Sequence, residues 1–511
     1  MKEKKLFKVC HELRDRWPNL ALMAIGWMHF TNARQSVTEK ILVGKKAPGV
    51  FYNVARCGWI LWKGLSVFCL VLFLRWDLRC ERKALAQKRF EVIGKTWSFG
   101  PDSSKETPDF YYGNLQEKLA KEGLNFLLLC GNVQRKEWRR FARGHVRTEG
   151  LCRLPELCLV SPVDVLKSVL LQIKTSFFLL KKSRHEKDLL ARTVLEWAAC
   201  DVLRQQTLFN MLHYFLAKSA VALWHPQAFL TFYEGHAWEK CIWKGVKEIS
   251  PGCKTFGYQH TVIMQRASDL LVPAPDGNFP TMPDVVLCSG QRSFEMMGGK
   301  ANHPQTKFVV FGSFRAGKTS GVKMAKAPPS LRRTVLVTPE GLLPEAVLLF
   351  DAAMMVAKNL QDHRFIFRSH PVLPFERVRP HLKIDPATLS NIEISTKPSI
   401  EEDFDLASVL LYRGSSAVFY AILKGLKPFY FHRQDLEVID PVFELTYWKI
   451  YVNSEKELGD GLKDYEKTDI EKNILAWQVA EKYVKDYNIP VEKGSIDLFL
   501  ASMQISERAS I

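Results

Sequence analysis

Cysteine is scarce and unpatterned in this chain: eleven residues in 511, an odd number, dispersed, with no C-x-x-C pair. That excludes a disulfide framework or a zinc ribbon as the organising device and points to reduced thiols in a cytoplasmic compartment. Nor does the N-terminal stretch read as a secretory leader. Residues 1–18 are charged throughout, the apolar run 20–30 is short, and no small-residue cleavage site follows it. The composition, 47% hydrophobic and 25% charged, is not that of a disordered chain. Negative charge is in deficit, 54 Asp and Glu against 72 Lys and Arg, for a formal net charge of +18. The excess is spread along the chain. It points to an anionic partner (a phosphorylated ligand, nucleic acid or an acidic membrane surface) or to an ordinary basic surface.

A chain of 511 residues is too long for one core, so two or three domains are expected. Residues 1–85 are basic and rich in tryptophan. Their 59–76 run is apolar except for Lys63 and Arg75, has Trp at both ends, and leads into Arg79, Arg82 and Lys83. This suits a helix lying in an anionic membrane surface, or one packed on the first domain. From about residue 86 strand and helix patterns alternate. Strands are read at 90–97, 124–130, 157–162, 227–233, 254–258, 284–288 and 307–311. Helices are read at 111–121, 163–182 and 186–223; the 163–182 helix has an apolar face suited to a core or to a second membrane-facing surface. Residues 316–333 carry Gly, Ser, Lys and Pro without apolar period and read as a linker. The alternation then restarts, with strands at 334–337, 365–368, 392–394, 409–412, 429–431 and 450–452. The fold class is α/β: two tandem doubly wound Rossmann-like domains, at 86–315 and 334–475, with helical segments at 1–85 and 476–511.

Several strand ends carry chemistry. Arg368-Ser369-His370-Pro371 follows one apolar strand, Gly414-Ser415-Ser416 another, and Thr338 to Gly341 a third. Proline fixes the chain direction beside His370, whose imidazole can then be held over a phosphate; a locally bonded loop histidine is the plainer reading. The serines precede an apolar helix and either bind an anion or simply cap it. Glu234 ends a strand beside Gly235 and His236, with Glu239 one helical turn on; it is a candidate base or a helix-terminal charge. Gln259 and His260 end the next strand. The string Gly312 to Thr319 matches a phosphate-binding P-loop, with Lys318 in the lysine position. It leads to Pro328-Pro329 and not into a buried helix, and its acidic counterpart 347–351 falls in a helix pattern, so the match is set aside.

In order, these pieces resemble bacterial surface-carbohydrate glycosyltransferases of the GT-B type. Arg368-Ser369-His370-Pro371, Ser415-Ser416 and the Gly425-Leu426-Lys427-Pro428 turn resemble the nucleotide domain of capsule Kdo and polysialic acid transferases and of teichoic-acid polyol-phosphate polymerases. Tyr233-Glu234-Gly235, Trp238-Glu239, Gly257 to His260, Asp109 to Gly113 and Gly312 to Arg315 resemble a surface carbohydrate biosynthesis family of the same fold. The resemblance covers about 90–475. It implies an inverting, metal-independent transferase, cytoplasmic and peripheral on the inner membrane face. Its donor would be a nucleotide sugar, CMP-activated by preference, with no other cofactor. The acceptor would be a surface or lipid-linked glycan; nucleic acid is no partner. Glu234 would be the base, with Gly235, Gln259 and His260 on the acceptor side. Arg368, His370, Pro371, Gly414, Ser415, Ser416, Thr338 and Gly341 would hold the donor, His370 and the two serines at its phosphate. The related transferases carry two acidic residues before the glycine, whereas Tyr233 stands here, so the base is left between Glu234 and Glu239. Three other functions stay open: a polyol-phosphate transferase using a CDP-activated donor, a P-loop ATPase or exporter component, and a non-catalytic nucleotide-binding assembly protein.

Overall fold

A computed structural model of the chain describes residues 2–25, 37–98, 109–265, 267, 270, 282–300, 305–314, 316, 333–433, 438–468 and 470–503. The chain divides into two compact units: Met1–Thr261, Ala267–Phe314 and Pro490–Ile511 make the first, Val262–Arg266 and Arg315–Ile489 the second.

The first unit is built on seven parallel strands: β1 (Val92–Ser98), β2 (Phe126–Asn132), β3 (Arg153–Pro155), β4 (Ala228–Phe232), β5 (Lys254–Tyr258), β6 (Val285–Cys288) and β7 (Lys307–Val310). Their order is β3-β2-β1-β4-β5-β6-β7. β2 is buried at every position, as a central parallel strand with both faces covered must be. The chain runs outward from β1 to β3, then returns to lay β4 on the other side of β1. The β1–β4 boundary is therefore the topological switch point, outside which ligands of such sheets bind. The final helix, Lys493–Met503, returns to this unit: the Phe499 ring lies 4.6 Å from Phe256 and 6.5 Å from Phe311.

Three local expectations change. The 157–162 strand is instead the 3-10 turn Glu156–Leu159, following the short β3. The 111–121 helix starts only at Leu115. Asp109 Oδ1 accepts from the Tyr111 and Tyr112 N–H groups at 2.9 Å each, holding the chain in a turn that Gly113 closes at φ 51°. The 186–223 helix is two, Leu189–Asp201 and Gln205–Trp224. No Gly or Pro marks that break. Gln172, from the Pro162–His185 helix, donates to the freed Val202 and Arg204 carbonyls at 2.7 and 3.0 Å, which makes the interruption affordable in a buried setting.

The second unit has six parallel strands: β8 (Thr334–Pro339), β9 (Arg364–Phe367), β10 (Ile392–Ile394), β11 (Val409–Arg413), β12 (Lys427–Phe431) and β13 (Ile450–Val452). Their order is β10-β9-β8-β11-β12-β13, with the switch point between β8 and β11. The helix Leu343–Asn359 contains the whole 347–351 stretch, and Asp351 accepts from the Lys383 N–H at 2.9 Å. Two doubly wound parallel units in one chain are the composition of the GT-B type. Most of the expected linker, with Lys318 and Thr319 of the P-loop string, lies outside the described residues.

Candidate active site

In the first unit the candidate residues gather just past the carboxyl ends of β4 and β5. The Tyr233 N–H continues the ladder to Tyr258 O at 2.9 Å, and Gly235 then turns the chain at φ 83°. Glu239, in the first turn of the helix Ala237–Ile249, reaches back under this turn. Its carboxylate accepts from the N–H groups of Glu234, Gly235 and His236 at 3.1–3.2 Å. Those bonds fix the turn and point Glu234 the other way.

The Glu234 carboxylate lies between two imidazoles, 3.2 Å from His260 Nε2 and 3.4 Å from His236 Nε2. His260 is itself wedged, its ring 4.8 Å from Tyr111 and 4.7 Å from Phe232. The Asp109–Gly113 turn thus supplies one wall of the histidine's seat. Burial pushes the Glu234 carboxyl up, but His260 and His236 outweigh it and hold the group well below the usual carboxylate range. Burial, reinforced by the Glu234 charge, pushes Glu239 up to about 8. Exposure separates the two acids: the Glu234 side chain keeps 16%, while Glu239 has 0%. Of the two, Glu234 is the one with surface that a ligand could reach.

One expected residue is placed otherwise, and one unexpected residue joins the site. Gln259 is fully buried; its Oε1 accepts from the Ser289 N–H at 2.9 Å and its amide donates to Thr261 O. It ties the end of β5 to the end of β6 and does not face a ligand. His236 was not singled out from sequence as a site residue, although Glu-Gly-His in one turn was the available signal.

In the second unit the loops after β8, β9 and β11 interlock. A Cβ on Gly341 would lie 2.9 Å from His370 Nδ1 and 2.7 Å from Val372; one on Gly414, at φ 73°, would lie 2.7 Å from Glu340 Oε2. Both glycines are required by close approach. His370 Nδ1 accepts from the Val372 N–H at 3.3 Å, so the neutral ring carries its proton on Nε2. Burial lowers the imidazole pKa and favours that neutral form. Pro371 occupies an exposed turn closed by Leu373 N–H to His370 O at 2.8 Å. Ser415 is buried, its Oγ accepting from the Ala417 N–H at 3.3 Å, while Ser416 is exposed. Beneath them, buried Arg413 is held by Glu345 at 2.6 Å and by Tyr430 Oη at 3.1 Å.

Arg368 departs from expectation. One nitrogen, Nη1, donates toward Asp403 at 2.6 Å, Ser395 Oγ at 3.2 Å, Ser399 O at 3.1 Å and Lys397 O at 3.3 Å. Through that nitrogen it organises the segment after β10, while the side chain keeps 20% of its surface exposed. Two hydroxyls stand out instead. Thr338 Oγ1, at the end of β8, and Ser369 Oγ, past the end of β9, are buried without a hydrogen-bond partner among the described residues. Buried hydroxyls ordinarily have a partner, from the protein or from water. Ser369 was visible in the Arg-Ser-His-Pro string but not weighted. Among the described residues no three His, Cys, Asp or Glu side chains are grouped to share a metal ion.

No protein-family model matches the chain, and no curated protein does. Solved structures similar to it include the glycotransferase of kitacinnamycin (12% identity, TM-score 0.46, covering 81% of this chain and 100% of that one). α,α-Trehalose 6-phosphate synthase from Burkholderia multivorans gives 11% identity and TM-score 0.45, covering 82% of this chain and 96% of that one. UDP-GlcNAc 2-epimerase from Methanocaldococcus jannaschii gives 9% and 0.40, covering 78% and 99%. At such identities and TM-scores the likeness assigns this chain no activity.

Proposed function

We propose that the chain is a glycosyltransferase that moves a sugar from a nucleotide-activated donor to a hydroxyl of a surface or lipid-linked glycan. One observation carries the reading: an ionised, partly exposed Glu234, held between His236 and His260 beside the switch point of its sheet. A carboxylate so placed accepts a proton from an acceptor hydroxyl as that oxygen attacks the anomeric carbon. The bond from that carbon to the donor phosphate breaks, and its electron pair leaves on the phosphate oxygen. Donor binding belongs to the second unit. There the Nε2–H of His370 and the hydroxyls of Ser415, Ser416, Thr338 and Ser369 are the groups that would stabilise the developing charge. His236 and His260 keep Glu234 ionised and oriented. The inverting, metal-independent course and the preference for a cytidine nucleotide rest on the sequence resemblance alone.

The test is a thermal-shift panel with CMP, CDP, UDP, GDP and ATP. Stabilisation by CMP supports the proposed donor. A shift with CDP alone supports a polyol-phosphate donor in its place, and UDP or GDP changes the donor class while keeping a glycosyltransferase. Stabilisation by ATP alone overturns the reading.

A further inference from the structure

The helix Val50–Asp77 has 28 residues and includes an 18-residue window of mean hydropathy 2.0, yet only 28% of that window is buried. It is about 42 Å long. One side is seated on the first unit along its whole length: Asn53, Ile60, Gly64, Val67, Val71, Leu74 and Asp77 are buried, a seam repeating every three, four or seven residues. Polar anchors fix it near both ends. Arg56 donates to Leu203 O at 3.2 Å, Arg75 to Val160 O at 3.2 Å, and Asp77 pairs with Arg143 at 2.9 Å. Gly64 brings it against the helix Pro162–His185, where a Cβ would lie 2.5 Å from Val169. A helix held sideways in this manner does not cross a bilayer alone; it offers one long face.

That face is apolar. Leu61, Trp62, Leu65, Leu72, Phe73 and Trp76 are exposed, Trp62 by 65% and Trp76 by 63%. The neighbouring Pro162–His185 helix also turns Val163, Leu166, Leu170 and Phe177 to solvent, with exposed Lys167, Lys174 and Lys181 recurring every seven residues among them. The acids of the two helices are Asp77 and Asp164. Both are turned inward, Asp77 onto Arg143 and Asp164 onto the Ser161 cap at 2.7 Å. So the two exposed faces combine apolar and aromatic surface with positive charge and no opposing carboxylate.

We infer that these two helices dock the protein flat on an anionic phospholipid surface. Charge complementarity selects this occupant. Tryptophan and aliphatic side chains enter the headgroup–acyl boundary while the lysines meet lipid phosphates. A second copy of the chain would bring the lysine stripe against its own equivalent, at a cost in repulsion. The inference is independent of the glycosyltransferase reading, since it concerns neither the strand ends nor a nucleotide.

The experiment is co-sedimentation of the full chain with vesicles of phosphatidylcholine alone or mixed with phosphatidylglycerol. Binding to the anionic vesicles, weakened by salt, is expected. Lys167→Gln, Lys174→Gln and Lys181→Gln should each lower affinity about fivefold. These exposed lysines leave the fold intact, so the series stays informative where Trp62→Asp or Leu65→Asp fails to fold. Brominated acyl chains should quench wild-type tryptophan emission, and Trp62→Phe with Trp76→Phe should remove that quenching. Equal binding to both vesicle types, affinity indifferent to the lysines, or a dimer in solution dissociated by Leu65→Asp would each overturn the inference.

Discussion

The first unit holds two glutamates that each lie between two basic side chains, and they differ in exposure. Glu156 Oε2 lies 3.3 Å from Lys95 Nζ and 3.3 Å from His213 Nε2; Glu234 lies between two imidazoles at nearly the same distances. Burial opposes ionisation of Glu156, but Lys95 and His213 outweigh it and lower its pKa to about 2, while burial lowers Lys95 to about 8. The difference is exposure. Lys95 stands within β1, its ammonium 2.8 Å from the centre of the Trp97 ring, and Glu156 below it is 4% exposed. Glu234 stands one turn past the end of β4 with 16% exposed. Both glutamates stand just past a strand end; the enclosed carboxylate–imidazole contact is a clamp, and the one that keeps exposed surface can meet a ligand.

The comparison breaks first at Glu234. Glu234→Gln should cut sugar transfer by roughly 10²–10⁴-fold per folded molecule, with some loss of stability because His236 and His260 lose the carboxylate they favour. A variant within tenfold of wild type would remove Glu234 from the reaction. Glu156→Ala should act on stability instead. It leaves the Lys95 ammonium buried without its carboxylate, at a cost of about 3–5 kcal/mol in urea unfolding, while folded protein still binds nucleotide. His370→Ala should lower turnover by about 10²-fold with little loss of stability, the size seen for a single donor to a developing oxyanion. Full transfer activity in that variant would exclude the donor role.

The last prediction concerns Glu239 and is read as a slope against pH. Its folded pKa of about 8 exceeds the ordinary 4.5, so the folded state holds a proton the unfolded state has lost between those values. Stability therefore falls as pH rises through that window, by at most about 1.4 kcal/mol per pH unit. Glu239→Gln should flatten this slope, whatever its absolute stability. An unchanged slope would mean that Glu239 is ionised and that its three backbone bonds prevail.

The doubly wound pattern was legible because buried parallel strands such as β2 read as continuous apolar runs. Glu234, His370 and the serine pair were legible because strand ends are marked by abrupt polarity. What the sequence hid depends on partners far along the chain. Nothing local says that Glu239 is enclosed by the turn it supports, that Gln259 is spent on Ser289, or that Arg368 is committed to Asp403, 35 residues on. The break after Asp201 was invisible because the compensating group, Gln172, lies in another helix. The apolar 59–76 run could be read as core or as membrane-facing; in the fold it has one buried seam and one exposed apolar face.

The most direct measurement is the transfer rate per folded molecule for Glu234→Gln and Glu156→Gln in parallel, using the donor whose nucleotide gives the largest thermal shift. A loss of about a hundredfold or more for Glu234→Gln, with the Glu156→Gln rate within a few-fold of wild type, is the predicted result. Equal losses in the two variants, or a larger loss at Glu156, would contradict the assignment of Glu234 as the base.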